Sequence, residues 1–293
     1  MKIKSNSVLP IASSITHQHL TAVINTIIGN SANTNIIRIL DLGCGNGKLL
    51  SHLLSALAIL KPDLHFEFFG LDISDSIHQV NNFMKETRHF LAEKDLDIDW
   101  NKQITCITED DKWPYQNQSF DFIISNQVME HVMDHDFVFR EIHRCLRPGG
   151  TSINLFPTRE VLMEGHAHMP LVHKIKDEAK RARIILCFAR IGFTRRYKIK
   201  KDNWNSLKDF AQKYSHTLEI ATNYLSSRQL FAAAARSGLT ISFSYTKDYF
   251  IAKLLSYIGK RPYCYKYIGV LDAIGLFFGK WLSSVTVILE KKS

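Results

Sequence analysis

Cysteine is scarce in this 293-residue chain, five in all, and no two stand in a CxxC pair. Neither a disulfide framework nor a cysteine-held zinc site is expected, and a reducing cytoplasm is the simplest home. Long apolar runs are also missing. No stretch reaches the ~18 uncharged apolar residues of a spanning helix. The nearest, Tyr267 to Leu289, contains Asp272 and Lys280. A secretory leader is not expected either, because Lys2 and Lys4 precede only the short run from Val8 to Ala12, interrupted by Pro10. Internal repeats and low-complexity tracts are absent. What is present is ordinary globular composition, 45% hydrophobic and 22% charged. That excludes disorder or a fibrous protein as whole-chain readings and suits one large domain or two small ones.

Charge divides the chain. Residues 1–157 hold 13 Lys and Arg against 18 Asp and Glu, a net −5, whereas residues 158–293 hold 24 against 10, a net +14. A basic second half is compatible with nucleic acid, an anionic membrane or a phosphorylated small substrate.

Residues 13–28 read as a helix closed by Gly29-Asn30. Ile36 to Leu40 is a short, largely β-branched run that reads as a buried parallel strand. Helices over 48–60, 75–94 and 134–146 then alternate with strands over 65–71, 104–107, 120–125 and 151–156. Such alternation predicts βαβ units and a parallel sheet. Regularity breaks near Pro157. Residues 158–225 are basic, rich in His and Tyr, and lack a clean strand; a helix over 227–237 and strands over 239–245 and 284–289 follow.

Asp41-Leu42-Gly43-Cys44-Gly45-Asn46-Gly47 lies between a predicted strand and a predicted helix. Alternating glycines let the backbone turn sharply and let a ligand approach the helix N-terminal amides. Two nucleotide motifs are absent. A P-loop fails at both ends, with Leu42 where its first glycine belongs and Leu49 where its hydroxyl belongs. The dinucleotide fingerprint fails at its third glycine, which is Lys48 here, and this argues against a nicotinamide-dependent dehydrogenase.

Asp41 to Gly47 matches the [DE]xGxGxG loop of the class I S-adenosylmethionine-dependent methyltransferases of small-molecule type, and residues 36–156 resemble that family. Three further segments carry the resemblance in the right order: Gly70-Leu71-Asp72-Ile73-Ser74, the stretch Glu109 to Asp121 around Trp113-Pro114-Tyr115, and Ser125 to Val132 followed by Arg147-Pro148-Gly149-Gly150. The resemblance implies S-adenosylmethionine as cofactor, with S-adenosylhomocysteine as product. It implies that the backbone of Gly43, Cys44, Gly45 and Gly47 forms a platform beside the methionine moiety, which Asp41 organises. Asp72, 25 residues beyond Gly47, would accept the ribose hydroxyls, with Ile73 beside it. Glu109 or Asp110 would meet the adenine amino group. Asn126 and Gln127, at the fourth-strand end, would line the cofactor. The implied fold is a doubly wound, Rossmann-like α/β sandwich with helices on both faces of a seven-stranded, mostly parallel sheet, the last strand inserting antiparallel. Helical insertions follow strands 5 and 6. The division read from the chain is a single methyltransferase domain over 1–293, with core 13–157, 227–245 and 284–292, and insertions 158–226 and 246–283 forming a substrate cap.

Methyl transfer from a sulfonium is an in-line displacement in which the protein chiefly aligns the nucleophile. A high-pKa oxygen nucleophile also needs a base. His131, after the fourth strand, and His166, in Glu164-Gly165-His166-Ala167-His168, are the candidates, because imidazole titrates near neutrality. Some quinone-type relatives hold a metal through an ExxEH segment here. This chain has Gln127 in place of the first carboxylate, and no metal is expected. The basic, aromatic stretches 174–201 and 249–282 read as a cap or as a peripheral membrane surface. Nucleic acid is not an expected partner, since no RNA-binding module is recognisable. The expected function is methyl transfer to a small polar or lipid-linked metabolite at oxygen. The alternatives are a membrane-surface lipid or quinone methyltransferase, a cofactor-binding protein without turnover, and an RNA methyltransferase.

Overall fold

The computed structural model describes residues 9–31, 36–73, 83–199, 203–266 and 269–292. Helix α1 (Ile15–Ser31) precedes β1 (Ile36–Leu42), α2 (Lys48–Leu60), β2 (His65–Ile73), α3 (Phe83–Ala92), the single turn α4 (Trp100–Gln103), β3 (Ile104–Ile107) and β4 (Phe120–Asn126). Then come α5 (His135–Cys145), β5 (Leu146–Phe156), a two-residue hairpin of β6 (Met163–Glu164) and β7 (Met169–Pro170), and the helices α6 (Glu178–Arg190), α7 (Arg195–Ile199), α8 (Leu207–Ala221) and α9 (Ser227–Arg236). Strand β8 (Leu239–Ser242), α10 (Thr246–Ser256), α11 (Gly269–Leu282) and β9 (Val285–Lys291) complete the order.

Seven strands form one sheet in the order β3-β2-β1-β4-β5-β9-β8. The first five pair in parallel, and β9 runs antiparallel to both β5 and β8. The order reverses between β1 and β4, and in open α/β sheets ligands bind beyond the carboxyl ends of strands at such a reversal. Side chains alternate across the sheet. On β1, Ile37 and Ile39 pack in a core shared with α1 and α2, whereas Leu40 and Leu42 enter the opposite core with α5 and α9. On β4 the pairing with β5 shifts between Phe120 and Phe122. A third core lies outside the sheet, where Ile185 of α6 meets Phe210, Tyr214 and Leu218 of α8.

The predicted sandwich is present, with three local differences. Gly29 does not end α1. Its φ is not positive, so the helix continues to Ser31. The segment 239–245 stops as a strand at Ser242, and Tyr245 takes a left-handed φ of 67° to start α10. Of the predicted helix 75–94, residues 75–82 lie outside the described residues, and 83–92 are helical. Residues 158–226 are largely helical, as α6, α7 and α8. Helices α6 and α8 begin at side-chain caps, Asp177 on Lys180 and Ser206 on Asp209.

Candidate active site

The glycine loop leaves β1 at the sheet's order reversal. Gly43, Gly45 and Gly47 all have left-handed φ values, 69°, 51° and 71°. A Cβ at Gly43 would strike Val128, so that position is bound to glycine by conformation and by space. The N–H groups of Gly43 and Cys44 both donate to the Leu71 carbonyl, at 2.7 and 3.2 Å, which fastens the loop to the end of β2. Thr87 of α3 donates its hydroxyl to the Gly45 carbonyl at 2.9 Å. Beside Gly45 the space is open, with nothing closer to an added Cβ than 3.9 Å. Cys44 turns its sulfur into the core, so only its backbone faces the loop.

Asp72 sits at the end of β2, where one carboxylate oxygen accepts the Gly45 N–H at 2.7 Å and the other the Ile73 N–H at 2.8 Å. Asp41 is fully buried, and its Oδ2 has no hydrogen-bond partner. Burial, then the nearby Asp72 charge, pushes its carboxyl well above the usual range. A buried carboxyl oxygen without a partner, at the end of the strand that feeds the glycine loop, suits the polar end of a ligand.

Gly43, Asp72, Ile73, Glu109, Asp110 and His131 line one cavity of about 240 Å³. The acidic triplet sorts itself at this wall. Asp111 is committed to its own turn, accepting the Thr108 N–H at 2.9 Å, whereas Glu109 and Asp110 both reach the cavity. Trp113 is buried in the same wall, and its N–H donates to Glu141 at 2.9 Å. Arg144 clamps the segment by donating to Glu141 and to the carbonyls of Trp113 and Tyr115. A larger open groove, lined by Leu54, Asp63, Glu67 and Asp95 among others, contains none of the motif residues.

Asn126 and Gln127 do not line the cavity. Asn126 closes β4, with its buried Oδ1 unpartnered. Gln127 has a left-handed φ of 58°, which turns its amide toward the Leu155 carbonyl (3.1 Å) and the Ser284 hydroxyl (3.0 Å). Asp41, Cys44, Gly45 and Gly47 likewise do not line this cavity.

The second half of the site is assembled from distant segments. A 3-10 turn over Met129–His131 buries Glu130 completely and presents His131 to the cavity. His131 Nδ1 lies 2.6 Å from the Ala221 carbonyl at the end of α8, and Asn223 donates its N–H to the Glu130 carbonyl at 2.7 Å. Only N–H can donate to a carbonyl, so Nδ1 carries a proton. His166, from the turn of the β6–β7 hairpin, brings its ring within 5.1 Å of His131. Its Nδ1 is 2.7 Å from Glu164 Oε1. Glu164 is fully buried and also accepts from the Ala167 N–H and the Tyr224 hydroxyl, at 2.5 and 2.9 Å. Burial would raise its carboxyl, but the bond and charge of His166 and the backbone N–H groups of Ala167 and His166 hold it down at about 2. Glu130 is pushed up by burial to about 8, against the opposing pull of its own backbone N–H and the His166 charge, and its Oε2 has no partner.

One oxygen of Glu130 and one ring nitrogen each of His131 and His166 lie within 4.8 Å of one another. The two histidines singled out by sequence thus meet, while His168 and His173 stand outside this group. Tyr224 and the Ala221 carbonyl escaped sequence reasoning, and Glu130 entered it only as the second carboxylate of the ExxEH comparison. Nothing local marks residues 221–224 as its neighbours.

The fold and loop define an α/β protein with a nucleoside-type cofactor site at the sheet reversal. Residues 40–154 match the family described as methyltransferase domain. That segment is a methyltransferase domain, which bears out the resemblance to the class I S-adenosylmethionine-dependent methyltransferases, and the cofactor such a domain implies is S-adenosylmethionine. No curated protein matches the chain in sequence. Among solved structures, the CurJ carbon methyltransferase is similar at 12% identity over 96% of this chain and 56% of that one, TM-score 0.49. A Haemonchus contortus phosphoethanolamine N-methyltransferase 2 in complex with S-adenosylmethionine is similar at 14% identity over 99% and 55%, TM-score 0.47. The [4+2]-cyclase SpnF is similar at 14% over 95% and 81%, TM-score 0.47. The chain spans about half the length of the first two.

Proposed function

We propose that the protein transfers the methyl group of S-adenosylmethionine to an oxygen of a small polar or lipid-linked acceptor seated against Glu130, His131 and His166. The observation that carries this reading is the position of His131: it lines the same cavity as Gly43 and Asp72 and touches the ring of His166. Cofactor end and polar acceptor end therefore share one wall.

The residues suit the cofactor. The turn through Gly43, Cys44, Gly45 and Gly47, with Asp41 behind it, would hold the methionine end. Asp72 and Ile73 would hold the ribose, Glu109 or Asp110 the adenine, and Asn126 and Gln127 would back the site from β4. When bound, S-adenosylmethionine supplies a methyl already activated by its sulfonium. The protein's task is then alignment and, for a hydroxyl acceptor, removal of a proton. His131 and His166 are the groups placed for that step. Each is oriented through Nδ1, by the Ala221 carbonyl and by Glu164, so Nε2 is the nitrogen left to exchange a proton; burial lowers the His166 pKa, but its bond to Glu164 outweighs that and raises it.

Calorimetric titration of the full chain with S-adenosylmethionine, beside NAD and an Asp72→Ala variant, tests the reading. Micromolar binding that is lost in the variant supports it. Binding of NAD alone, or no binding by folded protein, sinks it.

A specific surface feature favours a lipid-linked acceptor. Ile251, Leu254 and Leu255 of α10 and Ile258 in the turn after it follow the spacing i, i+3, i+4, i+7, yet all are exposed, and Tyr257 beside them is 80% exposed. Lys253, Lys260 and Arg261 flank them. An apolar stripe rimmed by cations matches the interface of an anionic bilayer. Sedimentation with phosphatidylglycerol vesicles, lost in Ile251→Ser/Leu254→Ser, is the expected result. Equal recovery with and without vesicles would remove this second reading. Among the described residues no helix is long and apolar enough to cross a membrane.

A further inference from the structure

We infer that Glu130, His131 and His166 form a binding site for one divalent first-row transition ion. The inference deepens the proposed function, resting on it only for what the ion would do, and it stands on three separate observations. The first is convergence. The donor atoms come from two segments 35 residues apart and lie within 4.8 Å of one another. Ligands around a single ion at ~2.1 Å stand about 3 to 4 Å apart, so binding draws these side chains together only slightly.

The second observation is the orientation of the histidines. A histidine that ligates through one nitrogen is held by a hydrogen bond from the other, to a carbonyl or a carboxylate. Both arrangements occur here: His131 Nδ1 on the Ala221 carbonyl at 2.6 Å, and His166 Nδ1 on Glu164 at 2.7 Å. Glu164 is itself fixed by Ala167 and Tyr224, so the support extends a further layer. The third is Glu130. It is 1% exposed, and its Oε2 has no hydrogen-bond partner. A buried carboxyl oxygen without a donor is unfavourable unless a proton or a cation meets it, and an ion held by two imidazoles would supply the cation.

Two imidazoles and one carboxylate favour Zn²⁺, Co²⁺, Fe²⁺ or Mn²⁺ over Mg²⁺ or Ca²⁺, which take all-oxygen shells. With three protein ligands, positions remain for water or an acceptor oxygen. An ion there would lower the pKa of a coordinated hydroxyl and orient its oxygen toward the cavity. The Gln127 side chain, bonded to Leu155 and Ser284, has no part in it. The ligand that sequence reasoning lacked is supplied by His166 instead.

The test uses chelator-stripped full-length protein, without S-adenosylmethionine or acceptor. It is titrated with Co²⁺ by visible absorption and with Zn²⁺ by calorimetry. One ion per chain is expected. Glu130→Gln, His131→Gln and His166→Gln should each weaken binding at least about 100-fold, and Glu164→Gln about 10- to 100-fold. His216→Gln, on the exposed face of α8, should leave binding unchanged. Folded wild-type protein that takes up no ion overturns the inference, as does uptake that all three ligand substitutions leave intact. If His166→Gln fails to fold, Glu130→Gln and the rise of wild-type Tm on adding Zn²⁺ decide. S-adenosylmethionine binding without metal binding would sink this inference alone, and the converse would sink the methyl-transfer reading alone.

Discussion

The proposed cofactor side and the proposed acceptor side of the cavity are built in opposite ways. The cofactor side is a run of neighbours: three left-handed glycines within five residues, tied by two N–H bonds to Leu71 and braced by Asp72. The acceptor side is a meeting of strangers. Glu130 and His131 come from a turn after β4, Glu164 and His166 from a hairpin, and Ala221 and Tyr224 from the end of α8. The first is held by backbone geometry that few residues can adopt. The second is held by side-chain hydrogen bonds that could each be replaced singly. Rigidity on one side and replaceable contacts on the other suit a site with a constant donor and a particular acceptor.

That contrast can be broken or sharpened by experiment. Gly43→Ala forces a left-handed φ on a residue with a Cβ and drives that Cβ into Val128. A loss of about 3 kcal/mol in urea unfolding is expected. A loss below about 1 kcal/mol would mean that the loop is less rigid than the comparison requires. Asp72→Ala should weaken S-adenosylmethionine binding about 100-fold through lost charge-assisted hydrogen bonds. Co²⁺ uptake should be unchanged, and joint loss of both ligands would erase the division between the sides.

A pH experiment probes the rigid half from behind. His19 of α1 is fully buried, with its ring nitrogens 2.8 Å from the Tyr265 and Thr286 hydroxyls. Burial lowers its pKa to about 3. The unfolded chain therefore binds the proton first, and stability falls as pH drops from about 6.5 toward 3. Between pH 7 and pH 5 this group alone should remove roughly 2 kcal/mol, seen as a falling urea midpoint. His19→Gln should flatten that slope, and an unchanged slope would refute the assignment. The smallest effect is expected at the surface. Arg236→Ala breaks an exposed pair with Asp136 and should cost about 0.5 kcal/mol or less in the same assay.

The cofactor side was legible because its signals are local. A β-branched run ending in an acid, alternating glycines and a helix-forming stretch all lie within 25 residues, and each dictates its own backbone. Asp72 was legible for the same reason, as an acid at a strand end. Gln127 was misplaced as a lining residue because its left-handed φ, invisible in sequence, rotates the side chain toward Ser284. The acceptor side could be named only in part. His131 and His166 stood out as chemical groups, yet their meeting depends on how a hairpin and the end of α8 fold back over β4. No periodicity encodes that packing. Gly29 shows the same limit on a small scale: glycine permits a helix end without compelling one.

Helices α6 and α8 pack on each other around Phe210, Tyr214 and Ile185, apart from both cores that flank the sheet. Mutations within that small core should therefore be absorbed without disturbing the strands that carry the glycine loop. In evolutionary terms the pair is a semi-independent module. Drift there would reshape the end of α8, and with it the carbonyl and tyrosine that position the two histidines, so a lineage could explore new acceptors while its donor site stayed fixed.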